Sequence, residues 1–148
     1  MTAKADRAFD IVVYGATGYT GRLVAEFLAH HHGGSGIKWA MAGRSKAKLR
    51  EVRDLIGAPA DIPLIEANSD DPASMKALAE STRVVLTTVG PYQLYGEPLV
   101  KACVEAGTDY ADLCGEPGWM REMIDRYGEA AKASGARIAF SSDRKSVV

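Results

Sequence analysis

A glycine-rich turn near the start of the chain joins an apolar segment to an amphipathic one. The apolar segment, at 9–14, has an almost continuous hydrophobic run, which predicts a strand buried on both faces. The turn that follows has GxxGxxG spacing and consists of Gly15-Ala16-Thr17-Gly18-Tyr19-Thr20-Gly21. Backbone amides at a helix N-terminus attract anions, so a glycine turn between a strand and a helix is typical of dinucleotide-binding domains. The alternative is a tight turn without a ligand.

Each glycine of the turn has a predicted role in holding a pyrophosphate. Gly15 permits the tight turn, Gly18 lets the backbone approach the ligand, and Gly21 lets the helix pack closely on the strand. The first gap is one residue longer than in GxGxxG, so the sequence leaves open which amide makes each contact. We predict that all seven residues, 15–21, belong to the cofactor site.

Along the rest of the chain, short apolar runs alternate with longer amphipathic segments. The runs predict strands at 9–14, 38–42, 63–66, 83–88, 108–112 and 137–140. The amphipathic segments predict helices at 19–31, 45–56, 72–80, 97–106 and 118–133. Strict alternation of strands and helices implies a parallel sheet with helices on both faces. The predicted fold is therefore α/β, a doubly wound six-stranded sheet of the Rossmann NAD(P)-binding type over 8–140, with frayed ends at 1–7 and 141–148.

Composition excludes several other classes of protein. With 148 residues, the chain is long enough to bury a core without disulfides or a structural metal. Lys plus Arg is 18 and Asp plus Glu is 19, so the chain lacks the basic excess of a nucleic-acid binder. There is no apolar stretch long enough for a transmembrane segment and no signal-peptide core. The two cysteines form no CxxC pair, and we expect a cytoplasmic protein.

The end of the second strand favours NADP(H) over NAD(H). NAD sites usually place an acidic residue there to bond the ribose hydroxyls. This chain instead has Gly43, then Arg44, whose planar guanidinium suits a 2′-phosphate, and Ser45, which offers a hydroxyl. The alternative is an exposed basic start of the next helix.

Two further strand ends are predicted to line the same crevice. Asn68 and Ser69 follow the third strand and are placed to contact the adenine edge, although capping of the next helix explains them equally well. After the fourth strand the chain is predicted to pass the nicotinamide, through Thr88, Val89, Gly90, Pro91 and Tyr92. Tyr92 is interpreted either as a wall of the substrate pocket or as surface packing.

Catalytic residues are not identifiable from the sequence. Tyr127 and Lys132 are five residues apart, which excludes the YxxxK pair of short-chain dehydrogenases. Consecutive histidines at 30–32 point in different directions on a helix, so no metal site is predicted. An acidic group around the fifth strand is explained either by substrate binding and acid catalysis or by loop capping; its members are Asp109, Asp112 and Glu116.

Four blocks of the sequence together resemble the saccharopine dehydrogenase-like oxidoreductases, and within them the mycobacterial trans-acting enoyl reductase branch. The blocks lie at 9–21, 42–45, 87–92 and 107–116. The resemblance implies a Rossmann domain and an NADPH-dependent transfer of hydride to a C=C bond of a lipid-like or polyketide substrate. Two alternatives are a saccharopine-type C–N oxidoreductase acting on an amino acid and a non-catalytic NADP(H)-sensing module.

The resemblance ends with the sixth predicted strand. Members of the family continue through a Gly-Phe-Asp-Ser-Pro-like segment into a substrate and dimerisation domain. In this chain the polar residues 141–148 stand there instead. The resemblance therefore implies that the substrate domain is absent, that this fragment is inactive alone, and that homodimers form through the missing half.

Overall fold

The computed structural model describes residues 3–143. Its strands are β1 Phe9–Tyr14, β2 Trp39–Gly43, β3 Leu64–Glu66, β4 Thr82–Thr87, β5 Asp109–Asp112 and β6 Ile138–Ala139. Its helices are α1 Tyr19–His32, α2 Lys46–Leu55, α3 Pro72–Ser81, α4 Tyr92–Tyr95, α5 Glu97–Ala106 and α6 Pro117–Ser134, preceded by a 3-10 turn at Lys4–Asp6. The strands form one sheet in the order β3-β2-β1-β4-β5-β6, with every pair parallel. This architecture confirms the predicted fold.

The sheet reverses its direction of winding at β1. This strand lies between β2 and β4, and its last residue, Tyr14, is paired with Ala42 on one side and Thr87 on the other. The chain therefore leaves β1 and β4 in opposite directions, which opens a crevice above their carboxyl ends. In doubly wound sheets, ligands bind at this switch point.

The sheet separates two apolar cores. On one face, Val13 and Met41 pack with Ala25 and Leu28 of α1 and with Leu49 of α2. On the other face, the sheet packs with buried residues of α3, α5 and α6, among them Met75, Leu78, Leu99, Val100, Cys103, Trp119 and Met123. Both faces of the central strands are thus covered, which explains the continuous apolar run in β1.

Local signals set the beginnings of two helices as predicted. Ser45 is the N-cap of α2, and its Oγ accepts a hydrogen bond from the Lys48 amide at 3.3 Å. Asp71 caps α3 through the Ala73 amide at 3.1 Å, with Pro72 in the first turn. Each cap satisfies a backbone donor that has no partner within its own helix.

Two features of the helices differ from the sequence expectation. Helix α4 was not expected, since it is a single turn between two glycine-containing segments. The face of α1 that packs on the sheet is formed by small residues, Gly21 and Ala25, together with Leu28. The larger apolar side chains Leu23 and Phe27 lie outside this face and are 44% and 52% exposed.

The N-terminal segment, expected to be frayed, contains a buried arginine. Arg7 is 8% exposed and donates hydrogen bonds to the carbonyl oxygens of Thr82 at 2.8 Å and Ala79 at 3.4 Å. It also bonds the Thr108 hydroxyl and the Ala106 carbonyl oxygen. These contacts hold residue 7 against the amino ends of β4 and β5.

The segment after β6 is also attached to the sheet. The Ser141 amide donates to Asp112 Oδ1 at 2.8 Å, and the Ser142 amide donates to the Asp112 carbonyl oxygen at 2.8 Å. The remainder of the predicted frayed ends, 1–2 and 144–148, lies outside the described residues. Between residues 3 and 143, every helix is too short or too polar to cross a bilayer.

Candidate cofactor site

A cleft lies above the carboxyl ends of the strands, at the switch point between β1 and β4. Most of its lining comes from the segments that leave β1, β2, β3 and β4. The lining residues are Tyr14, Gly15, Thr17, Gly18, Gly43, Arg44, Asn68, Ser69, Asp70, Thr88, Val89, Gly90 and Tyr95. The topology thus brings together the four strand ends that the sequence predicted to share one site.

The glycine turn is fixed tightly to the sheet at its two ends. The Gly15 amide donates to the Ala42 carbonyl oxygen at 2.9 Å, and Gly15 has a φ of +90°. A Cβ at this position would lie 2.7 Å from Thr88 Oγ1. At Gly21 a Cβ would lie only 1.9 Å from the Gly15 carbonyl oxygen. Packing within the protein therefore requires glycine at both of these positions.

Gly18 is different, because the protein itself does not require a glycine there. Its φ of −77° is open to any residue, and a Cβ would meet only the Gly15 carbonyl oxygen, at 3.4 Å. Gly18 lines the cleft and is the N-cap of α1, which has no side-chain cap. The first amides of α1 are therefore presented to the cleft beside a surface without a side chain, an arrangement that suits a pyrophosphate.

The other residues of the turn divide between core and surface. Thr17 lines the cleft, whereas Ala16 is fully buried beneath the turn. Tyr19 is 76% exposed and Thr20 is also exposed, so any contact of these two with a pyrophosphate would come from their backbone amides. The Arg22 guanidinium carbon lies 6.0 Å from the centre of the Tyr19 ring.

At the β2 end of the cleft, Arg44 is exposed and lies beside Gly43 on the lining. The hydroxyl of Ser45 already accepts the Lys48 amide as a helix cap. A carboxylate is also close, since Glu66 Oε2 accepts the Lys46 amide at 3.3 Å. Among the residues that line the cleft, Arg44 is the cationic side chain available to a phosphate.

The β3 end of the cleft is also lined by Asp70 and by Tyr14, two residues not named above as site residues. Asn68 and Ser69 both line it, although Asn68 Oδ1 also accepts the Asp70 amide at 3.1 Å, as the capping alternative expects. Tyr14, the last residue of β1, reaches this end and bonds Ser69. Burial raises the pKa of its phenol, while the Ser69 hydrogen bonds and the charge of Arg44 partly oppose the rise. The apolar run of β1 concealed Tyr14 as a lining residue.

The β4 end of the cleft is closed against the glycine turn. The Thr88 amide donates to the Tyr14 carbonyl oxygen at 3.0 Å, and Thr88 Oγ1 donates to the Gly15 carbonyl oxygen at 3.3 Å. Val89 and Gly90 follow along the lining, and Pro91 is exposed.

Tyr92 and Tyr95, the first and last residues of the short helix α4, have different surroundings. Tyr92, predicted as a cofactor residue, is 4% exposed, and its hydroxyl donates to the Thr87 carbonyl oxygen at 3.1 Å. Its ring packs on Trp119, so it supports the turn from below and does not line the cleft. Tyr95 takes the lining position instead and is 40% exposed. The turn of α4 places the second tyrosine at the cleft, which sequence spacing did not reveal.

The three acidic residues around β5 are occupied by internal contacts. Asp112 is buried and accepts the Tyr110 hydroxyl at 2.7 Å and the Cys114 amide at 3.0 Å. Asp109 lies at the opposite, amino end of β5. Burial raises its pKa, but hydrogen bonds from Arg137 and Lys4 outweigh burial and lower it to about 2.

Glu116 accepts two backbone amides of the segment 92–93. For all three acids, the described contacts favour the capping explanation over acid catalysis.

The family model and the curated relatives that match the sequence point to one group of proteins. Residues 11–138 match the family model described as the saccharopine dehydrogenase NADP binding domain. Over 140 residues the chain is 53% identical to a trans-acting enoyl reductase of Mycobacterium tuberculosis, covering 94% of this chain and 33% of that protein. The chain therefore spans about a third of the length of the curated relatives that it matches.

Two solved structures resemble the fold. One is an apo saccharopine dehydrogenase (L-Glu forming) of Saccharomyces cerevisiae, with a TM-score of 0.71 and 16% identity over 90% of this chain and 27% of that one. The other is a leucoanthocyanidin reductase–NADPH complex from Vitis vinifera, with a TM-score of 0.60 and 17% identity over 88% and 48% of the two chains. At these identities the likeness establishes the fold alone.

Proposed function

The chain belongs to the saccharopine dehydrogenase NADP-binding domain family, as its sequence motifs predicted, and we propose that it binds NADP(H) in the cleft as the cofactor-binding part of an oxidoreductase. The enzyme would transfer hydride to a C=C bond of a lipid-like or polyketide substrate. The family is one of NADP-binding domains, which agrees with the predicted preference for NADP(H) over NAD(H).

The observation that carries this proposal is Gly18. Protein packing explains the glycines at positions 15 and 21, but an alanine at position 18 would fit the protein without a ligand. A glycine there makes sense when another molecule approaches the backbone beside the uncapped start of α1. That position is where the pyrophosphate of a dinucleotide lies in doubly wound folds.

Other residues of the cleft would hold the two ends of the cofactor. Arg44 would bind the 2′-phosphate, with Asn68 and Ser69 near the adenine. Thr88, Val89 and Gly90 would bound the nicotinamide end. When bound, NADPH supplies the hydride, and the contribution of this chain is to place and orient it.

The enoyl substrate is the part of the proposal that depends on relatives. Proteins about half identical to this chain are named trans-acting enoyl reductases, and they are about three times as long. A saccharopine-type activity has weaker support, because the likeness to saccharopine dehydrogenase is structural and only 16% identical. We therefore propose enoyl reduction for the whole enzyme, with the substrate bound largely outside residues 3–143.

Calorimetric titration with NADPH and with NADH tests the cofactor assignment. We expect NADPH to bind at least about tenfold more tightly, which corresponds to about 1.4 kcal/mol. Arg44→Ala should remove most of that preference, since hydrogen bonds to charged groups contribute about 1.5–3 kcal/mol. Arg50→Ala, an exposed arginine on α2 away from the cleft lining, is the matched control. Equal binding of both cofactors by the wild type would contradict the assignment of the 2′-phosphate to Arg44.

A further inference from the structure

Helix α4 is held at its N-terminus by a carboxylate from a distant part of the chain. Glu116 lies just before α6, and its Oε2 accepts the Tyr92 amide at 2.7 Å. Its Oε1 accepts the Gln93 amide at 3.1 Å. These amides belong to the first turn of α4, where no partner exists within the helix. One carboxylate thus satisfies two donors.

The other end of α4 is held by the same distant segment. Gly96, which follows the helix, packs so closely on Trp119 that a Cβ there would lie 2.6 Å from Trp119 Cζ2. The Tyr92 ring also packs on this indole, with the ring centres 5.6 Å apart. Residues 116–119 therefore fix α4 from both ends.

Helix α4 depends on these contacts because it is too short to be stable alone. Forming the first turn of a helix is unfavourable, because several residues are ordered for one hydrogen bond. A helix of one turn lacks the further hydrogen bonds that compensate for this in longer helices. Pro91, its N-cap, provides no side-chain hydrogen bond. Glu116 and Trp119, together with the bond from the Tyr92 hydroxyl to the Thr87 carbonyl oxygen, therefore hold α4 in its orientation.

The orientation of α4 matters to the cleft because the helix carries Tyr95. Tyr95 lines the cleft together with Thr88, Val89 and Gly90, which follow β4, whereas Arg44 follows β2 on the other side of β1. A rotation or shift of α4 would move both Tyr95 and the turn that precedes the helix.

We propose that Glu116 is a positioning residue for the nicotinamide end of the site. By capping α4, it holds Tyr95 and the Thr88–Gly90 turn in place against the reactive ring of the cofactor. The proposal rests on the proposed function, since it assumes that NADP(H) occupies the cleft. Both carboxylate oxygens already accept amide protons, so Glu116 acts through α4 and not as an acid.

The test compares two ligands that occupy different parts of the cleft. NADPH spans the whole site, whereas adenosine 2′,5′-bisphosphate occupies only the adenine end. Glu116→Gln retains one acceptor oxygen but places an NH2 group against the second amide. For this variant we expect the Kd of NADPH to rise about fivefold or more, and the Kd of the bisphosphate to stay within about twofold of wild type. The emission of bound NADPH should also decrease, because its nicotinamide is held less firmly.

Two further variants keep the test decisive. Glu122→Gln changes a carboxylate within α6, the helix that Glu116 precedes; the amides at the start of α4 bond Glu116 and not Glu122, so this variant should match wild type with both ligands. Tyr95→Ala removes a partly exposed side chain, so it should fold even if Glu116→Gln does not. It should reproduce the loss of NADPH affinity and emission with normal bisphosphate binding.

The outcomes separate the two proposals. If wild type binds neither ligand, the proposed function fails and this inference fails with it. If wild type binds both and Glu116→Gln weakens them equally, the residue has only a structural role. Unchanged NADPH binding and emission in Glu116→Gln or in Tyr95→Ala would also overturn the inference.

Discussion

Adding one methyl group at Gly18 and, in a separate variant, at Gly21 distinguishes a glycine required by the ligand from one required by the fold. In Gly21→Ala the new Cβ would lie 1.9 Å from the Gly15 carbonyl oxygen and 2.6 Å from its carbonyl carbon. Both of these atoms are backbone, so the start of α1 must move away from the turn. Overpacking of this kind costs about 3 kcal/mol, and the better helix propensity of alanine returns roughly 1 kcal/mol.

The net effect of Gly21→Ala is therefore a loss of about 2 kcal/mol in the free energy of unfolding, or roughly 6 °C in Tm for a chain of this size. Gly18→Ala should change stability by less than about 1 kcal/mol. Its Cβ meets one atom at 3.4 Å, and the poorer N-cap is offset by a less flexible unfolded chain. Its effect should appear in binding, because the methyl group occupies the surface that the pyrophosphate approaches. We expect NADPH affinity to fall at least about tenfold.

Urea unfolding and calorimetric titration of the same preparations measure the two effects. Gly128→Ala is the matched control, since that glycine lies in α6 and a Cβ added there would meet no atom within 4 Å. It should stabilise the protein by about 0.5–1 kcal/mol and leave binding unchanged. Normal NADPH affinity in Gly18→Ala would refute the placement of the pyrophosphate. Full stability in Gly21→Ala would refute the packing argument.

Two predictions concern the amino end of the sheet. Arg7→Met should lower the free energy of unfolding by about 3 kcal/mol in urea titrations, because it leaves buried oxygen acceptors without a donor. In the control variant Arg83→Met, which loses an exposed ion pair, the loss should be less than about 1 kcal/mol. Similar losses in the two variants would contradict this view of Arg7. For Asp109, hydrogen bonds from Arg137 and Lys4 outweigh burial and lower the pKa from 3.8 to about 2. The carboxylate therefore contributes stability, about 2 kcal/mol, that is fully present above about pH 4 and is lost as the pH falls through about 2. Unfolding free energies of wild type and Asp109→Asn should differ at pH 7 and converge by pH 2, and a difference independent of pH would exclude this linkage.

The elements that the sequence predicted well are those fixed by local physics. The apolar run at 9–14 and the starts of α2 and α3 depend on residues within a few positions of each other. When strands and helices alternate, only a few topologies let the helices cover both faces of a parallel sheet, so the sheet topology was predictable as well. The strand ends that line the cleft were predictable for the same reason.

What the sequence did not reveal depends on contacts between distant residues. The positions of Tyr92 and Tyr95 follow from α4, which is held in part by Glu116, 24 residues from Tyr92. Arg7 bonds the Thr108 hydroxyl across 101 residues, and nothing near residue 7 indicates that partner. Tyr14 was hidden because a strand residue in an apolar run gives no sign of reaching a ligand cleft.

The helix ends of this domain differ in whether their unpaired backbone groups are bonded by other residues of the protein or face the cleft. At the amino end of the sheet, the last carbonyls of α3 and α5 carry negative partial charge, and the chain supplies its own cation, Arg7, to bond them. At the other end of the helices within 3–143, side chains accept the first amides of α2, α3 and α4, from Ser45, Asp71 and Glu116 respectively. Helices α5 and α6 instead have a proline in the first turn. Helix α1 has neither a side-chain cap nor a proline in its first turn. The positive end of α1 thus has no side-chain cap, and it opens onto the cleft beside Gly18, where an anion from outside the chain would complete it.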